Sequence, residues 1–361
     1  MSCTSPRTAY MKSDKKPTDN VTLAWSEQEA AARWGGNYHS VQIPCGNCLA
    51  CRLKKSQEWA TRCQHELRYH KEACFLTLTY NNENLPTDGC VSNRAHQLFM
   101  KRLRKYIDKV RPGCKIRFFM CGEYGSKKAR PHYHYIIFGF DFDDKVVHAR
   151  TSRGDLLFRS PALGRLWPFG FSTIGSVTHE SCAYVARYVT KKMHGKDGAS
   201  FYKKSGLTPE FCRCSNRPGI GFQWFEEFAD DCCRTGQVPL LKKGQIHHIG
   251  IPRYYLKILR RVAPNAYDEV VVNRQQAALL QSAHDELEAE RAGIPIRQWL
   301  KDRLDAKLEN GRATWVKNKY RSFEDAPLLD NEKYIDYSMS DVDKLNAYHK
   351  GFTEMQLNGY S

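Results

Sequence analysis

The chain has 361 residues, 41% of them hydrophobic, which is enough for a full apolar core and for two domains or one domain with large additions. Its 56 Lys and Arg against 39 Asp and Glu leave a net charge of +17, which points to a polyanionic partner, most simply nucleic acid, with an anionic membrane surface as the weaker alternative. No apolar run is long enough to span a bilayer. The stretch around Lys12, Asp14, Lys15 and Lys16 has no signal-peptide core, and no G-x-x-x-x-G-K-[ST] loop is present, so the expectation is an intracellular protein with no membrane and no bound nucleotide.

Residues 1–40 are polar and aperiodic and read as an arm. The next segment, 45-CGNCLAC-51, is the densest cluster among 14 cysteines. Cys45, Cys48 and Cys51 have metal-ligand spacing, and a structural zinc would need a fourth ligand, for which Cys63, His65, Cys74, Cys212 and Cys214 compete. The alternative is reduced thiols packed at the start of a helix. A helical period runs from about Cys48 to His70, followed by a strand, 75-FLTLTY-80, and the turn-rich 81-NNENLPTDG-89. Ser92 is placed to cap a helix whose apolar stripe is Ala95, Leu98, Phe99, Leu103, Tyr106, Ile107 and Val110. Lys101, Arg102, Arg104, Lys105 and Lys109, offset only by Asp108, suit a phosphate-contacting surface.

Two β-rich runs, 115-KIRFFMCGEY-124 and 130-RPHYHYIIFGF-140, joined by 125-GSKKAR-130, predict a hairpin. Alternation sends His132, His134, Ile136 and Phe138 to one face and Tyr133, Tyr135 and Ile137 to the other. Pairing about the loop brings Glu123 opposite or diagonal to His132. Two imidazoles and a carboxylate form a divalent-metal site of the Mn, Fe or Zn kind, or Mg if substrate phosphate completes the shell. Three protein ligands leave open positions, as a catalytic ion requires.

Residues 144–170 read as a loop-rich basic insertion. Thr178 can cap a helix, 179-HESCAYVARYVTKKM-193, stopped by Gly195. Cys182, Val185, Ala186, Val189 and Met193 form its sheet-facing side, with Tyr184, Arg187, Tyr188 and Lys191 opposite. Core tyrosines would lie within the aliphatic stripe, so this pair, four residues apart, reads as an accessible phenol site with cations beside it. Residues 195–209 look like a mobile link, 212-CRCSNRPGIGF-222 like basic turns, and 278–293 and 296–311 like two helices. The expected division is a polar arm (1–40), a nuclease region (41–230) and a mostly helical region (231–361).

A basic protein with a His-His-Glu metal site and an accessible tyrosine pair fits phosphodiester cleavage by a tyrosine nucleophile. A free phenol has a pKa of about 10, so the attack needs nearby cations, a base or the metal-activated phosphate.

FLTLTY (75–80), HYH (132–134) and YVARY (184–188), in that order, resemble the motifs of the HUH endonucleases, and most of all the rolling-circle replication initiators of the microviruses, gokushovirus type. CGNCLACR (45–52), GEYG (122–125), RPHYH (130–134) and RPGIG (217–221) are also similar to that group. The resemblance covers about residues 43–222. It implies an α+β fold, an antiparallel sheet flanked by helices. It also implies nicking of one strand of viral origin DNA, a 5′-phosphotyrosine link and a 3′-hydroxyl that primes host polymerase, in the cytoplasm of a host bacterium. By position, His132, His134 and Glu123 are metal ligands for Mg or Mn, and Tyr184 and Tyr188 are nucleophiles. Arg130, Arg187, Lys191 and Lys192, with Lys101, Arg102 and Lys105, are the DNA-contacting cations. Where relatives with one tyrosine carry Lys three residues later, this chain has Arg187, which favours phosphate contact. Single-stranded DNA, a host helicase and a host polymerase are the implied partners. The competing readings are an HUH transposase, a plasmid relaxase, and a non-catalytic, cysteine-stabilised nucleic-acid-binding protein.

Overall fold

The computed structural model describes residues 3–14, 22–125, 129–151, 154–178, 181–182, 185–186, 195–242 and 245–321. The chain divides into two compact units, Met1–Lys54 with Phe225–Lys307, and Lys55–Trp224 with Leu308–Ser361. No helix among the described residues is long and apolar enough to cross a membrane.

The second unit is built on a 7-stranded antiparallel sheet of order β6-β7-β8-β3-β5-β4-β9. Its strands are β3 (Ala73–Tyr80), β4 (Arg117–Tyr124), β5 (Pro131–Phe138), β6 (Val146–Arg150), β7 (Leu156–Arg159), β8 (Gly170–Ser176) and β9 (Phe211–Cys214). The expected hairpin is β4–β5, and β5 lies between β3 and β4, so both of its edges are paired. Helices α2 (Leu49–Leu67), α3 (Asn93–Val110), α4 (Pro161–Leu166) and α5 (Gly195–Ser205) belong to this part of the chain, α2 starting in the first unit.

Strand alternation makes two cores. On one face Tyr133, Tyr135 and Ile137 pack with Phe99, Met100, Leu103 and Ile107 of α3 and with Leu163 and Trp167. On the other, Ile136 and Phe138 pack with Phe119, Cys121, Ala60 and Cys63 of α2, and Cys182, Val185 and Ala186. Ser92 caps α3 as expected, its hydroxyl accepting from the Ala95 N–H at 3.2 Å.

Four local expectations change. The buried stripe of α3 takes in His96 and Met100, while Leu98 and Val110 are exposed. The stretch 144–170 is not loop-rich. It holds the hairpin β6–β7 and α4, whose cap Ser160 also donates to Asp144. The mobile link expected at 195–209 contains α5, because Phe201 and Tyr202 pack against Tyr124, Cys90 and Leu207 and thereby override the Gly, Lys and Ser composition. Phe211–Cys214, expected as a turn, pairs with β4 as an edge strand.

In the first unit, β1 (Arg7–Lys12) and β2 (Tyr38–Ile43) form an antiparallel pair beside α1 (Glu27–Trp34), all within or next to the residues expected as an arm. The unit also holds the hairpin β10 (Gln237–Lys242) and β11 (Gln245–Gly250), and α6 (Phe222–Thr235), which begins in the second unit. It is completed by α7 (Arg253–Val262), α8 (Pro264–Arg291) and α9 (Ile296–Arg321). Phe225 stacks on Tyr255 with centroids 4.7 Å apart, and Arg303 pairs with the buried Asp285.

Candidate active site

The register places the predicted metal ligands together. Glu123 is directly opposite His132, and His134 is opposite Cys121 on one side and Thr77 on the other. His134 and Glu123 are buried, with His134 Nε2 3.1 Å from Glu123 Oε1, and Thr77 Oγ1 is 3.1 Å from His134 Nδ1. Thr77 can accept from Nδ1–H or donate to a bare Nδ1. The imidazole can therefore free its Nε2 lone pair without losing its orienting bond, as a metal-ligating histidine needs. Phe75 stacks on the same ring at 5.9 Å.

His132 is the next ring along the face, its centroid 6.3 Å from that of His134. A Cβ on Gly125 would lie 2.8 Å from His132 Nε2, so that position of GEYG is kept bare by the imidazole. The Gly125 N–H in turn donates to the Arg130 carbonyl at 2.9 Å and closes the hairpin mouth.

These residues fit a hard divalent ion in kind. Two cis ligands of an octahedral ion at about 2.1 Å stand about 3.0 Å apart, close to the Glu123–His134 separation. Among the described residues, however, the His-His-Glu donors do not close as tightly as the four thiols considered below.

The helix turn that follows β8 is seated on this same face. Thr178 and Ser181 cap it reciprocally: the Ser181 N–H donates to Thr178 Oγ1 at 3.2 Å, and the Thr178 N–H to Ser181 Oγ at 2.7 Å. Cys182, Val185 and Ala186, the sheet-facing positions of the expected helix, are fully buried against Ile136, Phe138 and Phe119. Tyr184, Arg187, Tyr188, Lys191 and Lys192, with Val189 and Met193, lie outside the described residues.

The other candidate cations are not gathered at the histidines. Helix α3 packs on the opposite face of the sheet, where Lys101 and Lys105 are exposed. Arg102 donates from Nε to the Leu166 carbonyl at 2.9 Å and lies over the Phe169 ring. Arg130 donates to the Tyr80 carbonyl at 2.9 Å and to Asn82 Oδ1 at 2.5 Å, tying the loop after β3 to the mouth of the hairpin. The histidine side carries a buried ionic cluster instead. Glu66 accepts from Arg117, lies 3.0 Å from His70 Nε2 and accepts from the Gly221 N–H at 2.7 Å. Burial opposes ionisation of Glu66, but the His70 and Gly221 hydrogen bonds and the Arg117 charge prevail and hold its carboxyl below the usual range.

The thiols of Cys3, Cys45, Cys48 and Cys51 lie within 4.8 Å of one another and can hold a metal ion. The fourth member is Cys3, not any of the five residues expected to compete. Cys63 and Cys74 are buried in the sheet cores, Cys212 and Cys214 lie along β9, and His65 stacks on Trp224 at 3.6 Å. Thr77 and Gly125 were likewise missed. The alternation of FLTLTY, which places Thr77 and Thr79 on one face, was the available signal for Thr77. Cys3 had none, because its place depends on β1 pairing with β2.

Comparison with known proteins adds an independent line. The family described as Replication-associated protein ORF2 matches residues 73–193, a span that contains Glu123, both histidines and both tyrosines. The chain is similar to Replication-associated protein ORF2 of Spiroplasma virus 4, 32% identical over 270 residues, which are 72% of this chain and 81% of the relative. It is similar to Replication-associated protein VP4 of Bdellovibrio phage phiMH2K, 34% identical over 69% of this chain and 78% of that protein. Replication-associated protein ORF4 of Chlamydia phage 1 is 34% identical over 62% of this chain and 56% of its own length. No solved structure matches the chain.

Proposed function

The chain belongs to the replication-associated protein family of small phages, and from that membership we propose that it initiates rolling-circle replication by nicking one strand of viral origin DNA. The observation that carries the reading is the seating of Cys182, Val185 and Ala186 on the sheet face that presents His132, His134 and Glu123. In the chain these residues are interleaved with Tyr184 and followed by Tyr188.

His134, Glu123 and His132 would hold Mg or Mn, which when bound polarises the scissile phosphate and offsets charge on its oxygens. The chain's own groups do the rest. Thr77 fixes the His134 ring, and Gly125 leaves room for His132. One tyrosine gives up its phenolic proton and its oxygen attacks phosphorus. The P–O3′ bond breaks, the 3′-oxygen takes a proton, and the 5′-phosphate remains esterified to tyrosine. The free 3′-hydroxyl is then a primer for host polymerase, with a host helicase unwinding the duplex in the host cytoplasm. The second tyrosine cuts the regenerated origin, and the first 5′-phosphotyrosine is released when that new 3′-hydroxyl attacks it, closing a circle.

Arg187, Lys191 and Lys192 neutralise phosphates beside the cut. Lys101, Arg102 and Lys105, being across the sheet, meet flanking DNA rather than the scissile phosphate. Phage origin recognition is favoured over transposition or plasmid transfer because the matched relatives are named as phage replication-associated proteins.

The test uses the full chain, a single-stranded origin oligonucleotide and Mn, with the SDS-resistant adduct as readout and mass spectrometry of the linked peptide. Each single Tyr→Phe variant loses repeated release of circles, and one of the two retains the first nick. Tyr184→Phe with Tyr188→Phe forms no adduct. An adduct that persists in the double variant overturns the assignment.

A further inference from the structure

The cysteine quartet lies apart from the proposed nuclease chemistry, entirely within the first unit, and its geometry is specific. Cys3 Sγ is 3.5 Å from Cys45 Sγ and 3.7 Å from Cys48 Sγ. A disulfide would bring sulfurs to about 2.05 Å, so these thiols are unbonded to one another. Four thiolates around one zinc at about 2.3 Å form a tetrahedron with edges of about 3.8 Å, which is the spacing found.

The backbone is arranged to receive charged sulfur. The Cys45 N–H donates to Cys3 Sγ at 3.3 Å and the Cys48 N–H to Cys45 Sγ at 3.2 Å. Gly46, at φ 75°, takes the left-handed conformation that folds the CGNC turn over its own sulfur, with open space where a Cβ would stand. The cluster also lies at the N-terminus of α2, where unsatisfied N–H groups and the helix dipole favour negative charge.

We propose that Cys3, Cys45, Cys48 and Cys51 bind one structural zinc ion as a closed tetrathiolate site. Binding releases the four thiol protons and leaves a local charge of −2 at the helix terminus. With all four positions filled by protein the ion has no open site for water, so its role is structural. Soft thiolate donors select zinc over the Mg or Mn expected at the histidines. Zinc clasps the two ends of the β1–β2 pair, since Cys3 precedes Arg7 and Cys45 follows its partner Ile43. It thereby fixes the entry to α2.

The site can be tested without DNA and without nicking. Full-length protein purified without chelators is expected to carry one zinc per chain, with an X-ray absorption spectrum showing four sulfurs at about 2.3 Å. Cys3→Ser is expected to bind zinc at least about 100-fold more weakly, whereas Cys233→Ser binds as the parent does. A wild-type protein lacking stoichiometric zinc overturns the proposal, as does a shell of three sulfurs. Unchanged affinity in Cys3→Ser does the same. The absorption measurement on the parent protein stands even if Cys3→Ser fails to fold.

Discussion

The two faces of β5 draw on one stretch of 8 residues and put it to opposite uses. Tyr133 and Tyr135 point into the α3 core, and both are fully buried with their hydroxyls engaged. Tyr133 accepts from the Ser92 N–H at 2.7 Å, and the Tyr135 O–H donates to His96 Nδ1 at 3.1 Å. Burial, reinforced by neighbouring phenols, pushes both hydroxyls well above the ordinary tyrosine range, so they stay protonated and serve the fold. One residue away along the strand, His132 and His134 face a carboxylate, a threonine and a bare glycine. The difference shows that residue type does not assign a role. A tyrosine sealed in a core cannot supply a phenolate, so a nucleophile must come from outside the sheet.

Three experiments sharpen this contrast. The largest effect is expected from His134→Ala, which removes a ligand and should cut origin cleavage by more than about 100-fold while leaving DNA binding within a few-fold, because the basic surface carries affinity. Tyr135→Phe, on the other face, should do the reverse, costing about 1 to 2 kcal/mol of stability with cleavage retained per folded molecule. Cleavage assays beside urea titrations decide, and equal losses of activity in both variants would erase the distinction between the faces.

A second test uses pH. Burial, with the Arg213 and Arg104 charges, lowers His96 to about 4. The folded protein therefore leaves this imidazole neutral while the unfolded chain protonates it below about 6.5. Stability should accordingly fall as pH falls from about 6.5 to about 4, by on the order of 2 kcal/mol from this residue after allowing for screening. His96→Gln should flatten that part of the profile. Parallel urea midpoints for parent and variant between pH 7 and 4.5 would refute the assignment.

The smallest effect is expected from Gly125→Ala, whose methyl would sit 2.8 Å from His132 Nε2. Displacing the ring should reduce cleavage by about 10-fold and shift the Mn requirement upward. Gly36→Ala, where nothing lies within 4 Å, should change neither. A Gly125→Ala protein with unaltered Mn titration would show that His132 has slack the structure does not suggest.

Much of the site's scaffold was legible because its signals are local. Alternation in 130–140 separates histidines from tyrosines wherever the strand goes, since successive side chains of any strand leave opposite faces. Ser92 and Thr178 announce helix starts because a hydroxyl there satisfies N–H groups of its own first turn. The aliphatic positions 182, 185 and 186 identify a buried side by spacing alone. Less was visible where an element owes its existence to its neighbours. β9 is four residues completed by pairing to β4, and α5 is held by two aromatic rings against Tyr124 and Leu207.

The sequence by itself determined which side chains share a face within each segment, because that follows from the backbone period. Only the tertiary structure decided which segments meet. Strand register set Glu123 against His132 and Thr77 against His134. Sheet burial put the α3 cations across from the histidines, and β1–β2 pairing carried Cys3 to thiols 42 residues and more away. Those choices are made by pairing and burial between distant parts of the chain, which leave no mark in local composition.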